Sequence, residues 1–145
     1  MKTVSILIPT YNEQENVISL SKAIIKQFES LSEYEYEIIF IDNCSHDNTR
    51  ALIRELCERN KNIKAIFNAK NFGQFNSPFY GLCQTTGDCT ILICADFQDP
   101  VEMIPTFIQE WEKGYKIVCG IKTASKENGL MYCLRSCYYK AIKEM

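Results

Sequence analysis

Two carboxylates and an amide follow one apolar segment of this sequence. Residues 91–95 read Ile-Leu-Ile-Cys-Ala, and Asp96, Gln98 and Asp99 come within the next four positions. Mg²⁺ and Mn²⁺ take such oxygen ligands, commonly together with substrate phosphates and water. Because a single turn can bring the side chains of Asp96 and Gln98 to one ion, we predict a divalent-cation site here. Asp99, just before Pro100, is interpreted as the cap of the next helix.

The elements that must position these groups alternate between strands and helices. One helical face is formed by apolar residues three and four positions apart: Val17, Leu20, Ile24 and Phe28. Short apolar runs predict five strands, at residues 4–8, 37–41, 64–67, 90–95 and 116–120. A last helix is predicted at residues 132–143. This alternation predicts an α/β fold with a mostly parallel sheet covered by helices on both faces.

Local residue types predict where two of the helices begin. Asn12 and Glu15 have the spacing of a capping box, in which two side chains satisfy the first turn. Pro78 fits best at the first position of the third helix, with Ser77 as the cap, because a proline inside a helix costs about 3 kcal/mol. The predicted apolar residues of this third helix are Phe79, Leu82 and Cys83.

Polar residues stand just after each of the first four predicted strands. In a parallel sheet with right-handed crossovers, the carboxyl ends of the strands share one edge, and ligands bind along it. After the first three strands, the candidates are Pro9, Tyr11, Glu13, Asp42 and a polar loop, residues 68–74, that contains Asn71. Together with the acidic turn at Asp96, these four coincidences predict one site.

Length, charge and cysteine usage limit the class of protein. The 145 residues suit one domain, and a net charge of −2 with scattered Lys and Arg predicts no nucleic-acid surface. The N-terminus lacks signal-peptide features, and no apolar run approaches the roughly 18 residues of a membrane helix. Eight cysteines without a C-x-x-C pair, beside one histidine, predict buried thiols in a reducing cytosol and no zinc site. We expect a cytoplasmic protein.

Two common phosphate-binding loops are absent from the sequence. There is no G-x-x-x-x-G-K-[ST] loop, and the first strand is followed by PTYNEQEN where a dinucleotide-binding protein has G-x-G-x-x-G. A Rossmann-type dehydrogenase is therefore disfavoured. A nucleotide can still bind if a divalent cation neutralises its phosphates, and such a cation would also stabilise a departing nucleoside diphosphate.

The chain resembles family 2 of the GT-A glycosyltransferases. The resemblance lies in VSILIPTYNEQENV, IDNCSHDNT, NAKNFGQFNSPFYGLCQTTGD and ADFQDPVEMIP, in that order. It covers nearly the whole chain and is strongest to the dolichol-phosphate mannose synthase-like branch, which transfers sugars to polyprenyl phosphates. The resemblance implies a GT-A fold, a nucleoside diphosphate sugar donor, Mg²⁺ or Mn²⁺, a polyprenyl-phosphate or other glycan or lipid acceptor, and a role in cell-envelope glycan synthesis.

The same resemblance implies roles for individual residues. Asp96 would be the catalytic carboxylate that binds both donor and cation, and Gln98 would be a second metal ligand. The other implied donor-binding residues are Pro9, Tyr11, Glu13, Asp42 and Asn71. Asn71 belongs to Lys-Asn-Phe-Gly at residues 70–73, which matches the R-N-F-G loop of the family.

The sequence departs from the family pattern in two motifs and in length. Cys94 stands where D-x-D-x-Q-D-P has its first acid, and Asn43-Cys44 replace the second acid and the glycine of D-D-G-S. The family continues beyond Met145 into an acceptor half, and often into membrane helices that attach it to the cytoplasmic face of the membrane. We interpret residues 1–145 as one nucleotide-sugar-binding domain, the N-terminal part of that pattern. The alternative is a catalytically incomplete nucleotide-sugar-binding fragment or partner subunit.

Overall fold

A four-stranded parallel sheet forms the centre of the computed structural model, which describes residues 1–121 of the chain. Its strands are β1 (Lys2–Thr10), β2 (Tyr34–Asp42), β3 (Ile63–Phe67) and β4 (Cys89–Leu92). They lie in the order β3-β2-β1-β4, and all neighbours are parallel. β2 and β4 lie on opposite sides of β1, so the order of the strands reverses at β1. A crevice therefore opens at the carboxyl end of β1.

Helices follow each strand and cover both faces of the sheet. They are α1 (Val17–Glu29), α2 (Thr49–Arg59), α3 (Gly73–Leu82) and α4 (Ile104–Glu112), the last preceded by a 3-10 turn at Val101–Met103. Buried residues of α1, α2 and α4 share one core with the sheet, whereas α3 packs on the opposite face. Within residues 1–121, no helix is both long and apolar enough to cross a membrane. The predicted α/β architecture is confirmed.

The alternation of side chains along β1 and β2 explains why both strands are apolar throughout. The larger core takes alternate residues of these strands: Val4, Ile6, Ile8, Ile38 and Phe40. The intervening Leu7, Ile39 and Ile41 form a smaller core on the other face. Each fully buried aliphatic side chain contributes about 1.5–3 kcal/mol. All four residues of the predicted helical face of α1 are buried in the larger core, as expected.

Helix α3 differs from its prediction, because Pro78 lies inside the helix and not at its start. The residues of α3 that are buried are the small ones, Ser77 and Gly81, so the helix backbone lies close to the sheet. Phe79 is consequently 68% exposed, and Leu82 and Cys83 are exposed as well. Side chains support the first turn of this helix: Asn71 Oδ1 accepts the Gly73 N–H at 2.8 Å, and Asn76 Nδ2 donates to Phe72 O at 3.1 Å.

Five other local predictions were wrong, and a sixth falls outside the described residues. Asn12 does not cap α1, which begins after Asn16, and Pro100, not Asp99, stands at the cap position of the 3-10 turn at Val101–Met103. Residues 116–120 are not in a strand, and β4 ends earlier than predicted. Several cysteines are exposed and not buried, although no disulfide joins the cysteines of residues 1–121. The helix predicted at residues 132–143 lies outside the described part.

A buried carboxylate ties three strands to the segment that leads into β4. Glu37 is 4% exposed and accepts hydrogen bonds from Ser5 Oγ at 2.5 Å and Lys64 Nζ at 2.6 Å. It also accepts the Thr86 backbone N–H at 2.7 Å, and the Gly87 N–H donates to Ser5 Oγ at 2.9 Å. Burial raises the pKa of Glu37, but the hydrogen bonds from Lys64, Ser5 and Thr86 outweigh it and lower the pKa to about 2.

Candidate functional site

A cleft of about 710 Å³ lies at the carboxyl ends of the strands. Five of the predicted site residues line it: Pro9, Tyr11, Glu13, Asn71 and Asp96. Pro9 lies at the end of β1, and the other four come from the segments that follow β1, β3 and β4. The two other predicted residues, Asp42 and Gln98, are not part of its lining. The structure therefore brings most of the predicted site into one concave surface.

Reciprocal hydrogen bonds join the loop after β1 to the loop after β2. The Asn12 N–H donates to Ser45 Oγ at 2.9 Å, and Asn12 Oδ1 accepts the His46 N–H at 2.9 Å. The Glu13 N–H donates to Thr49 Oγ1 at 2.8 Å. Asn12 has a φ of 57°, a left-handed conformation that asparagine adopts more readily than most residues. These bonds fix the backbone beneath Tyr11 and Glu13.

Tyr11 and Glu13 offer the cleft an aromatic ring and a carboxylate. The Tyr11 side chain is 44% exposed, and its ring meets the His46 ring edge-on, with centroids 6.4 Å apart. Glu13 Oε2 accepts a hydrogen bond from Asn16 Nδ2 at 2.7 Å, which directs the carboxylate at the start of α1. An exposed ring face can stack on a planar base, and a carboxylate can accept hydrogen bonds from hydroxyl groups.

Asp42 lies beneath these loops and is fully buried. Its Oδ2 accepts the Ser45 N–H at 3.1 Å and lies 3.4 Å from Arg50 Nε, an ion pair without hydrogen-bond geometry. The Arg50 guanidinium lies 5.1 Å from the centre of the Phe67 ring. In the described part of the chain, Asp42 Oδ1 has no hydrogen-bond partner. Asp42 thus lies below the cleft and anchors the loop that contains Ser45.

Asn43 lines the cleft and was not among the predicted site residues. Its side chain bonds the loop between β3 and α3, with Nδ2 donating to Asn71 Oδ1 at 2.9 Å and Oδ1 accepting the Phe72 N–H at 2.9 Å. Asn68 Nδ2 donates both to Asn43 Oδ1 at 3.2 Å and to Ser77 Oγ at 2.9 Å. The signal in the sequence was the place of Asn43 at the end of β2, next to Asp42.

The acidic turn after β4 presents Asp96 to the cleft. Asp96 is exposed, and its Oδ1 accepts the Gln98 backbone N–H at 3.1 Å across Phe97, whose φ is 57°. Asp99 Oδ2 accepts the Cys94 N–H at 3.0 Å, which closes the turn from the other side. No group of three or more His, Cys, Asp or Glu side chains that could hold a metal occurs among residues 1–121. Protein side chains alone therefore do not form a metal cage here.

One wall of the cleft is apolar and aromatic. It is formed mainly by α3 and β4, and its large residues are Phe75, Phe79, Leu82 and Leu92. Phe75 is 77% exposed. Because the small residues of α3 face the sheet, its aromatic side chains project toward the cleft and its surroundings. A ligand in this cleft meets polar groups at the ends of the strands and apolar groups along α3.

A parallel sheet whose loops converge where strand order reverses is the arrangement of nucleotide-binding α/β proteins. The model of the family named Glycosyl transferase family 2 matches residues 5–142. The chain therefore belongs to glycosyl transferase family 2, in agreement with the resemblance seen in its sequence.

Similar proteins include bactoprenol glucosyl transferases. That of Shigella phage SfX is 35% identical over 126 residues, which are 87% of this chain and 41% of that protein. The prophage bactoprenol glucosyl transferase homolog of Escherichia coli K12 is 34% identical over the same shares. The chain thus spans about two fifths of the length of these relatives.

Solved structures of Staphylococcus aureus TarS share the fold. TarS 1–349 superposes with a TM-score of 0.64 at 21% identity, covering 88% of this chain and 40% of that one. TarS 1–349 in complex with UDP-GlcNAc gives a TM-score of 0.60 at 25% identity, covering 88% and 39%. The predicted GT-A fold is confirmed by this likeness together with the parallel sheet.

Proposed function

We propose that this chain is the donor-binding domain of a glycosyltransferase that uses a nucleoside diphosphate sugar. The observation that carries the proposal is the single cleft lined by Tyr11, Glu13, Asn71 and Asp96. The complex of TarS with UDP-GlcNAc, at 25% identity, supports a uridine nucleotide as the first donor to test. Pro9 and Tyr11 would form the nucleoside end of the cleft, with the base against the exposed Tyr11 ring.

Asp42 would support the nucleoside end of the cleft from below, without contacting the donor. It is fully buried and holds the Ser45 N–H, while Ser45 Oγ accepts the Asn12 N–H next to Tyr11. This chain of contacts supports a role for Asp42 in keeping the loop in place for base and ribose. Direct contact with the donor would fall to Tyr11 and Glu13.

Asp96 would bind the diphosphate through Mg²⁺ or Mn²⁺. One exposed carboxylate without a protein cage fits the way these ions bind when substrate phosphates and water complete their coordination. Gln98, exposed on the same turn, would supply a second oxygen. When bound, the ion would neutralise charge on the departing nucleoside diphosphate.

The reaction would join an acceptor oxygen to the anomeric carbon of the sugar as the bond from that carbon to the diphosphate oxygen breaks. The leaving diphosphate keeps the electron pair of that bond. The names of the bactoprenol glucosyl transferase relatives support a polyprenyl phosphate as acceptor. A phosphate acceptor is already ionised at neutral pH, so the chain would contribute positioning and charge stabilisation more than proton removal.

The second candidate function is donor binding without turnover, by a fragment or partner subunit. The observation that favours it is Cys94, which stands two residues before Asp96 where the family pattern has an acid. Incubation of UDP-glucose with Mn²⁺ and undecaprenyl phosphate separates the two candidates. Release of UDP with formation of the glucosylated lipid supports the enzyme, whereas retention of the donor without product supports the binding fragment.

Titration calorimetry with UDP and Mn²⁺ tests the role of Asp96. We expect Asp96→Asn to weaken UDP binding by about a hundredfold in the presence of Mn²⁺, because the ion loses the carboxylate assigned to bind it. Glu102→Gln is the matched control, since Glu102 is exposed in the 3-10 turn and its replacement removes the same charge. Unchanged metal-dependent affinity in Asp96→Asn would show that the assigned role is wrong.

A further inference from the structure

One buried asparagine holds the loop between β3 and α3 against the sheet. Asn43 is 8% exposed, and its backbone N–H donates to Thr10 O at 2.9 Å, extending the pairing of β2 with β1. An asparagine amide can accept two hydrogen bonds and donate two. All four are made inside the protein: Phe72 N–H and Asn68 Nδ2 donate to Oδ1 at 2.9 and 3.2 Å, and Nδ2 donates to Asn71 Oδ1 and Gly73 O at 2.9 and 3.2 Å.

The loop that Asn43 holds has little packing of its own. Residues 69–72 are all exposed, so burial does not fix their position. Gly73 has a φ of 85°, a left-handed conformation that any other residue would adopt at a cost. Asn71 and Gly73 line the cleft. The position of Asn71 and Gly73 in the cleft therefore depends on the hydrogen bonds to Asn43.

We propose that Asn43 is a positioning residue for the sugar donor, which fixes residues 71–73 as a wall of the cleft without itself bonding the donor. The proposal rests on the proposed function, because it assigns the cleft to a nucleoside diphosphate sugar. Asn43 has no amide position left for a ligand. Asn71 Oδ1 is also occupied, by Asn43 Nδ2 and the Gly73 N–H, so Asn71 meets the donor with its Nδ2.

In this chain, an acid at position 43, as in the family pattern, would lose the two hydrogen bonds that Asn43 Nδ2 donates. A carboxylate at residue 43 would place a negative oxygen near Asn71 Oδ1 and Gly73 O, where Nδ2 now donates two bonds. Two attractive contacts would become two repulsive ones, and the two acceptors would lose their donor. Protonation of that acid restores one O–H donor. A variant with aspartate should therefore bind the donor better, relative to the unmodified chain, as the pH falls.

The test compares Asn43→Asp and Asn43→Ala with the unmodified chain, using UDP with Mn²⁺ as the probe. At pH 7.5 we expect both variants to bind UDP about tenfold or more weakly and to exchange amide hydrogens faster over residues 68–76. At pH 5, Asn43→Asp should recover part of the lost affinity relative to the unmodified chain, whereas Asn43→Ala should not. Asn48→Asp is the control, since Asn48 is exposed in the same β2–α2 connection and its replacement by aspartate introduces the same charge.

Two results for the variants would overturn the proposal. Weaker UDP binding with unchanged exchange over residues 68–76 would mean that Asn43 contacts the donor directly. Unchanged UDP binding with faster exchange would mean that the loop is not a wall of the donor site. If the unmodified chain itself did not bind UDP, the proposed function would fail together with the donor role of Asn43. The exchange data would then show only whether Asn43 holds the loop in place.

Discussion

Replacing Glu37 with glutamine tests whether one buried carboxylate controls the stability of this fold in acid. The pKa of Glu37 is about 2 in the folded protein, against an ordinary value of 4.5. Because the folded pKa is the lower one, its contribution to the free energy of unfolding is complete above pH 4.5 and is lost as the pH falls toward 2. The gap corresponds to about 3 kcal/mol at pH 7, of which about 2 kcal/mol is lost by pH 3.

The structure sets the expected size of the effect. Glutamine is nearly isosteric but uncharged, and its amide nitrogen would meet at least one of the donors from Ser5, Lys64 and Thr86. We expect Glu37→Gln to lower the free energy of unfolding by about 3 kcal/mol at pH 7. Between pH 7 and pH 3, the variant should lose about 2 kcal/mol less than the unmodified chain, because it lacks the carboxylate that becomes protonated.

Urea titrations followed by circular dichroism at pH 7 and pH 3 measure both quantities. Glu35→Gln is the matched control, since Glu35 lies two residues earlier on β2 and is exposed. Its free energy of unfolding should stay within about 0.5 kcal/mol of the unmodified value at pH 7. A Glu37→Gln variant that is destabilised by acid as much as the unmodified chain would refute the reasoning.

Two further substitutions test backbone conformation and packing by the same urea titrations. Cys44 has a φ of 67°, so Cys44→Gly should raise the free energy of unfolding by up to about 1 kcal/mol, whereas Cys57→Gly inside α2 should lower it. Destabilisation by Cys44→Gly would show that the thiol contributes more than the backbone strain costs. A Cβ at Gly81 would lie 2.8 Å from Leu7 Cδ1 and 3.2 Å from Ile41 Cγ2. Gly81→Ala should therefore destabilise the chain by about 1 kcal/mol, because the clash exceeds the gain in helix propensity; a more stable variant would show that this interface is not tight.

The strands and the position of the cleft could be predicted because they depend on local patterns. Apolar runs such as residues 4–8 and 37–41 became β1 and β2, and polar residues after them marked the edge where loops converge. Residues 116–120 also contain a short apolar run but are not in a strand. Ile117 is 83% exposed, which shows that an apolar run forms a strand only where a neighbouring strand and a core receive it.

The predictions that failed depend on contacts between distant parts of the chain. The role of Asn43 rests on bonds to residues 68–73, about 25–30 positions away. Asp42 was correctly located at the end of β2, but its burial beneath Ser45 follows from the pairing of two loops. The interior position of Pro78 was missed because the support from Asn71 to the first turn of α3 cannot be read from helix propensity.

The small residues on the inner side of α3 have a consequence for how this family member can change. Ser77 and Gly81 let α3 lie close to β1 and β2, so larger side chains are accommodated more easily on its outer side. Substitutions at the exposed Phe75 and Phe79 should therefore affect folding less than a methyl group added at Gly81 on the inner side. The residues of α3 that face the cleft can thus differ without disturbing the residues that pack against the sheet.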